Sequence, residues 1–285
     1  MVVDNYNMPV LTIGIPVYNA ETTLSRTIDS LLKQTFQNFV LIISDNASTD
    51  STQKICMDFT KIDSRIKYIR QENNLGLLQN WNYLVKNATT KYFMWAASDD
   101  IWKSDFIKKN LEILETNENV VGSISKVGFL DKNNPDHLPL ETSDNLVKNI
   151  SGIYENRIIK SIKLNQATSV YAIFRTDKLQ KSLVYSEYGS YDLQIILNIL
   201  EFGSLNVIDE LLMFREPGGT SSKSYIKTLL KNKIPLHQIL FPYAPITSFC
   251  LQKLGLKFFL KNIFLFLRLN LNGSYLIMLD VLKNL

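Results

Sequence analysis

Apolar residues fall along the first hundred positions in short unbroken runs separated by amphipathic segments. Residues 10–17, 39–44 and 92–97 are continuous apolar runs that end at polar residues, which suits strands buried on both faces. A shorter run at 67–70 reads as a fourth strand. Between them, Leu24, Ile28, Leu31 and Leu32 mark one face of a helix over 21–34. Ile55 and Phe59 mark a second helix, opened by Asp50-Ser51-Thr52-Gln53 in the Asp-x-x-Gln form of a reciprocal N-terminal cap. Leu77, Trp81, Leu84 and Val85 mark a third, after the turn Asn73-Asn74-Leu75-Gly76. Strands that alternate with helices in this way predict an α/β fold on a parallel sheet.

Past position 100 the pattern loosens. A helix is expected over 103–117, with Phe106, Ile107, Leu111 and Leu114 inward, then a strand over 120–130. The polar stretch 131–149, holding Pro135 and Pro139, reads as a long loop of the kind that borders a site. A helix near 154–164, a strand near 169–175 and a helix over 191–202 capped by Gly203 follow. Two short strands, 206–208 and 211–215, precede the turn Pro217-Gly218-Gly219.

A chain of 285 residues suits one large domain, or one with a smaller appendage. Its net charge of +4 is too slight to imply nucleic acid. Cys56 and Cys250 stand far apart without metal-ligand spacing and read as reduced, buried thiols. His137 and His237 also lack a metal-ligand partner at suitable spacing. No basic region followed by an apolar core opens the chain, so a cytoplasmic protein without a secretory signal is expected.

The chemistry gathers where the strands end. Three parallel strands would bring Tyr18 and Asn19, Asp45 and Asn46, and Asp99 and Asp100 to one rim, the place where open α/β sheets bind ligands. Adjacent carboxylates repel unless a cation or ligand compensates them, and Mg²⁺ and Mn²⁺ take one or two carboxylates together with substrate phosphates. The plain alternative is that Asp99 and Asp100 only start a turn. No Gly-x-Gly-x-x-Gly follows the first strand, which argues against a nicotinamide cofactor, and no Gly-Lys-Ser/Thr phosphate loop occurs. A bound metal is then the natural means of neutralising a diphosphate.

Ile13-Gly14-Ile15-Pro16-Val17-Tyr18-Asn19, Ile43-Ser44-Asp45-Asn46-Ala47-Ser48-Thr49-Asp50, Asn74-Leu75-Gly76 and Ser98-Asp99-Asp100 stand in an order that resembles the family 2 glycosyltransferases. The resemblance covers the first half of the chain and extends to about Ser222. It implies the glycosyltransferase A-type fold, a Rossmann-like, mostly parallel sheet flanked by helices. That catalytic domain would occupy 1–222, with 223–285 a helical, basic-amphipathic extension. It further implies inverting transfer of a sugar from a nucleotide-diphosphate sugar, UDP-linked, to a hydroxyl of a saccharide or lipid-linked acceptor. Cell-surface polysaccharide or glycolipid synthesis is the setting.

On this resemblance Pro16, Tyr18, Asn19, Asp45, Asn74, Gly76 and Asp99 hold the donor. Tyr18 lies against the base, Asp45 bonds its uracil-like edge, and Asp99 touches the ribose. Asp100 coordinates Mn²⁺ or Mg²⁺ on the diphosphate. The catalytic base is Asp192, in Gly189-Ser190-Tyr191-Asp192-Leu193, where Tyr191 stands at a position the family usually gives to Glu. Plainer readings exist for each: Tyr18 packs, Asp45 caps a turn, Asn74 and Gly76 only turn the chain, and Asp192 is an acid favoured at a helix start. Two rivals are a catalytically silent carbohydrate-binding or scaffold protein on the same fold and a nucleotidyltransferase. The second lacks a Gly-rich basic loop after the first strand.

From Ile226 onward Leu, Phe, Ile, Lys and Asn dominate, and Lys253, Lys257 and Lys261 recur among aromatic and aliphatic residues. These charges are expected to interrupt any run that could span a bilayer. Residues 250–269 suit either peripheral contact with a membrane surface or a helix packed on the catalytic domain or a dimer partner. Nothing in the sequence fixes an oligomeric state.

Overall fold

The computed structural model describes residues 8–131, 138, 146–185, 190–217 and 241–284. The chain divides into two compact units, Met1–Tyr185 with Ile195–Pro217, and Ser186–Gln194 with Gly218–Leu285. The boundary expected near Ser222, the Gly218-Gly219 turn and both histidines lie outside the described residues.

The first unit is built on one eight-stranded sheet ordered β3-β2-β1-β4-β7-β6-β8-β5. Its strands are β1 (Leu11–Val17), β2 (Phe39–Asp45), β3 (Ile66–Arg70), β4 (Tyr92–Trp95), β5 (Ile101–Trp102), β6 (Val120–Phe129), β7 (Ile173–Arg175) and β8 (Ser204–Arg215). The β3-β2-β1-β4 half is parallel throughout, as the alternating pattern predicts. Beyond β4 the sheet is mixed, with β7 antiparallel to β4 and β6, β6 parallel to β8, and β5 antiparallel to β8. Helices α1 (Leu24–Leu32), α2 (Thr52–Ile62), α3 (Leu77–Lys86), α4 (Phe106–Thr116), α5 (Tyr154–Lys163) and α6 (Thr176–Gln180) alternate with the strands, and α7 (Tyr191–Ile199) precedes β8.

Burial follows the apolar runs. Leu11, Ile13, Ile15, Leu41, Ile43 and the whole of β4 are fully covered, and α1 meets the sheet through Leu24, Ile28 and Leu31. Gly14 lets α3 approach β1, since an added Cβ there would stand 2.8 Å from Phe93 Cζ and 3.1 Å from Leu84 Cβ.

Four local expectations change. The strand expected at 169–175 is a 3₁₀ helix (Gln166–Tyr171) followed by β7, because Gln166 Oε1 holds Ser169 Oγ at 3.3 Å and Ala172 N donates back to Ser169 O at 3.0 Å. The two strands expected at 206–215 are the single β8, which accommodates its exposed Asp209-Glu210 by register shifts opposite Ser125–Val127. Gly203 does not adopt the left-handed backbone of a helix cap; a side chain there would meet Asn119 O at 2.3 Å. At the start of α2, the partner that answers Asp50 is Glu21 rather than Gln53. Asp50 accepts from Glu21 N and Thr52 N, while Glu21 Oε2 accepts from Ser51 N.

The described part of the second unit is helical, with α8 (Ala244–Lys261) and α9 (Ile263–Asn284) joined at Asn262. Here the expectation that charges interrupt every long apolar run fails. Among the described residues α9 is long and apolar enough, by length and composition, to cross a membrane. The lysines lie on α8, and within 263–280 the only charged residues are Arg268 and Asp280.

Candidate functional site

Parallel pairing sets the ends of β1, β2 and β4 side by side, with Val17 opposite Asp45, Pro16 opposite Ser44 and Gly14 opposite Trp95. Leaving β1, Tyr18 is 50% exposed, so it stands at the rim instead of packing into the core. Asn19 takes the left-handed backbone, φ +52°, which Asn tolerates better than most side chains. Its backbone N donates to Ser48 Oγ at 2.9 Å and its Oδ1 accepts from Thr49 N at 2.8 Å. Asn46 continues the wall, donating from Nδ2 to Asn74 Oδ1 at 2.9 Å and to Gly76 O at 3.2 Å. Gly76, at φ +83°, donates its N to Asn74 Oδ1, so these two residues do turn the chain, and they turn it against the rim.

Asp45 is fully buried and carries three donors: Ser48 N on Oδ1 at 2.8 Å, and Tyr68 OH and Arg70 Nη1 on Oδ2 at 2.6 and 2.8 Å. The Ser48 contact is the turn cap that the plain reading proposes. The other two come from alternate residues of β3, which share one face of that strand. The charge of Asp45 is felt nearby. Burial first, and then Asp45, push the Cys56 thiol up to about 12; burial and the bond to Asp45 likewise raise the Tyr68 hydroxyl.

The turn between β4 and β5 carries Asp99 and Asp100, and α1 holds its backbone. Arg26 Nη2 donates to Asp99 O at 3.2 Å and Thr27 Oγ1 to Asp100 O at 2.9 Å. Further along, Ser30 Oγ accepts from Trp102 N, Gln34 Nε2 donates to Lys103 O, and Gln34 Oε1 accepts from Ile107 N. Because β5 pairs with the end of β8, Arg215 and Glu216 also come to this turn. Glu216 N donates to Asp100 Oδ1 at 3.1 Å, and the Glu216 carboxylate is paired with Arg26.

Asp100 is 2% exposed. Burial and then the neighbouring Asp99 charge raise its carboxyl to about 7, against the pull of Arg215, whose Nε lies 3.8 Å from Oδ2. Asp99 is raised as well, chiefly by burial. Asp100 Oδ2 has no hydrogen-bond partner among the described residues. A buried carboxylate with one idle oxygen is short of positive charge. No group of three or more His, Cys, Asp or Glu side chains among the described residues forms a metal cage. The pair therefore fits a hard cation that draws most of its ligands from a diphosphate and water, as Mg²⁺ and Mn²⁺ do.

Asp192 belongs to the second unit. It lies in the first turn of α7, and its Oδ1 accepts from Leu193 N at 2.7 Å. The Tyr243 hydroxyl is raised by burial and then by the Asp192 charge.

Sequence reasoning missed Tyr68, Arg70 and Arg26, whereas Arg215 and Glu216 open a stretch, 215–221, that resembles a closing segment of the family 2 glycosyltransferases. A signal existed for the first pair, since a Tyr and an Arg two apart in a strand share a face. None existed for Arg26, whose pairing with Glu216 is made by the return of β8 to β5.

A family model described as Glycosyl transferase family 2 matches residues 12–183, more than half of the chain. Glycosyltransferase GlyA of Streptococcus pneumoniae is 36% identical over 98 residues, 34% of this chain and 14% of that protein. The UDP-Glc:alpha-D-GlcNAc-diphosphoundecaprenol beta-1,3-glucosyltransferase WfgD of Escherichia coli is 33% identical over 127 residues, 42% of this chain and 49% of that protein. The chain thus spans less than half the length of the curated relatives it matches. Among solved structures, S. aureus TarS 1-349 in complex with UDP-GlcNAc aligns with a TM-score of 0.60 at 20% identity, covering 75% of this chain and 61% of that one. The mannosyltransferase PcManGT from Pyrobaculum calidifontis, in complex with GDP-Man and Mn²⁺, aligns with a TM-score of 0.60 at 13% identity, covering 97% and 74%. At these identities the likeness is one of fold.

Proposed function

This chain belongs to glycosyl transferase family 2 and has the glycosyltransferase A-type fold, and from that premise we propose that it moves a sugar, with inversion, from a UDP-linked donor to an acceptor hydroxyl. The observation that carries the reading is Asp100, buried at the rim with an idle oxygen. Asp100 holds the metal, Mn²⁺ or Mg²⁺, with Asp99 toward the ribose. When bound, that ion would offset charge on the departing diphosphate. Tyr18 offers its exposed ring to the base, Pro16, Asn19, Asn74 and Gly76 shape the pocket floor, and Asp192 takes the acceptor proton. Residues 1–222 form the catalytic part and 223–285 the helical extension. WfgD is named for a diphosphoundecaprenol acceptor. By analogy the acceptor here is a lipid-linked saccharide, used in cell-surface polysaccharide synthesis by an enzyme peripheral on the cytoplasmic face of the membrane.

Thermal unfolding in the presence of nucleotide sugars tests this directly, because a ligand bound only by the folded state raises its stability. UDP-sugars are expected to stabilise the protein only with Mn²⁺ or Mg²⁺, and slow donor hydrolysis without acceptor should follow. Stabilisation without any hydrolysis would favour the silent scaffold; no stabilisation by any nucleotide sugar would refute the donor reading.

Asp45 is expected to matter twice. Asp45→Ala strands Tyr68 OH, Ser48 N and Arg70, so chemical denaturation should show a loss of about 2–4 kcal/mol. It should also shift the ratio of affinities for uridine and guanosine diphosphates, since a buried polar site discriminates through what it leaves unpaired. A stability loss with an unmoved ratio would confine Asp45 to the turn.

A further inference from the structure

Helix α9 is apolar on two opposite sides. One side packs on α8. There Phe266 stacks on Phe259 with ring centroids 5.4 Å apart, and Gly273 lies where an added Cβ would stand 2.5 Å from Pro242 Cγ. Asn270 fastens the same side, accepting from Tyr243 N at 3.1 Å and donating to Thr247 Oγ1 at 3.2 Å. The other side carries Phe264, Leu267, Leu271, Tyr275, Met278 and Leu282, spaced by three or four positions as a single helical stripe. All six are exposed, Phe264 at 82%, Leu271 at 68% and Leu282 at 62%. A helix apolar all round belongs in a protein core or against lipid.

Charge decides between a lipid and a second copy of the chain. From 241 to 284 the charged residues are Lys253, Lys257, Lys261, Arg268, Asp280 and Lys283, one acid against five bases, and Lys257, Lys261 and Arg268 are exposed. Two copies joined along the stripe would bring two surfaces of net positive charge together; an anionic leaflet would instead attract those cations. Orientation follows from the pairing of the helices. If α9 crossed the bilayer, its packed partner α8 would carry Lys253 and Lys257 into hydrocarbon, where exposed charges are costly. Lying flat, α9 sinks its stripe to the acyl boundary, and the cations of the pair stay in water where the anionic surface draws them.

We propose that α9 lies in the plane of an anionic lipid leaflet, with the 264–282 stripe buried at the acyl boundary and the positive charge of the α8–α9 pair drawn to the leaflet's anionic surface. This deepens the reading of a lipid-linked acceptor and rests on it for its purpose, since a leaflet-bound enzyme meets such an acceptor in two dimensions.

The test is flotation of the full chain with phosphatidylcholine vesicles, with and without phosphatidylglycerol. The chain should float with the anionic vesicles, less so at high salt, and carbonate should strip it off. Phe264→Glu with Leu271→Glu should lower partitioning by about 100-fold, at about tenfold for each large side chain withdrawn. Lys257→Glu with Lys261→Glu, both at exposed positions, should remove only the preference for anionic lipid and its salt sensitivity. No flotation, equal flotation of the stripe variant, or resistance to carbonate would each overturn the proposal. So would a dimer in sedimentation equilibrium that the stripe variant dissolves. Stabilisation of the same variants by UDP-sugar and Mn²⁺ reads the transferase proposal separately, so either can fail alone.

Discussion

Asp100→Asn is expected to abolish metal-dependent nucleotide binding while making the metal-free protein more stable at pH 8. Both effects come from one carboxylate. Its folded value of about 7 lies above the ordinary 3.8, so the folded state holds the proton more tightly than the unfolded chain. The stability this lends is complete below about pH 4 and is lost as pH rises through about 7. Asn stays neutral, keeps an oxygen for Glu216 N, and removes a buried charge that Arg215, 3.8 Å from Oδ2, offsets only in part. In EDTA the variant should gain on the order of 3–4 kcal/mol over the wild type at pH 8 and nothing at pH 4. Added Mn²⁺ should recover part of this for the wild type alone. Calorimetric titration with UDP and Mn²⁺ should show a loss above about 100-fold in affinity, since even outer-shell changes at metal sites cost 10–100-fold. Unchanged nucleotide affinity would remove the metal from Asp100, whatever the stability curves show.

Asp192→Asn is expected to slow turnover by about 10²–10⁴-fold, the usual worth of a positioned general base, with donor and metal affinity unchanged. An acceptor hydroxyl attacks poorly until its proton is taken, and Asn keeps the shape of Asp without its basicity. Asp192 gives one oxygen to Leu193 N at the start of α7, a contact Asn can keep, and the lost helix-end charge is worth about 0.3–1 kcal/mol. Single-turnover assays with bound donor separate this from a binding defect. Loss of donor affinity would move Asp192 into the nucleotide site, and full activity would pass the role to another acid, with Glu187 the first to examine.

What the sequence made legible followed from periodicity and adjacency. The run from Tyr92 to Trp95 is apolar at every position because both of its faces are covered, and Asp99-Asp100 stand beside each other in the chain as they do in space. The parallel rim was readable for the same reason. What escaped notice depends on long-range return. Arg26 and Glu216 meet across 190 positions only because β8 comes back to pair with β5, and no local pattern encodes that pairing. The single β8 was hidden by Asp209-Glu210, which look like a break but sit exposed within a continuous strand. In α9 the apolar content was visible, but its division into a packed side and an open side required knowing where α8 lies.

The row of contacts from α1 to the segment after β4 ties two events in time. The amide protons of Trp102 and Ile107 end on Ser30 and Gln34 side chains, and the carbonyls of Asp99, Asp100 and Lys103 receive theirs from Arg26, Thr27 and Gln34. These bonds run from one element to another, so the carbonyls of the carboxylate turn are held from outside it, while Asp100 N keeps its bond to Ala97 O within it. Trp102 N ends on Ser30 of α1, so its exchange with solvent is expected to follow local opening of that helix.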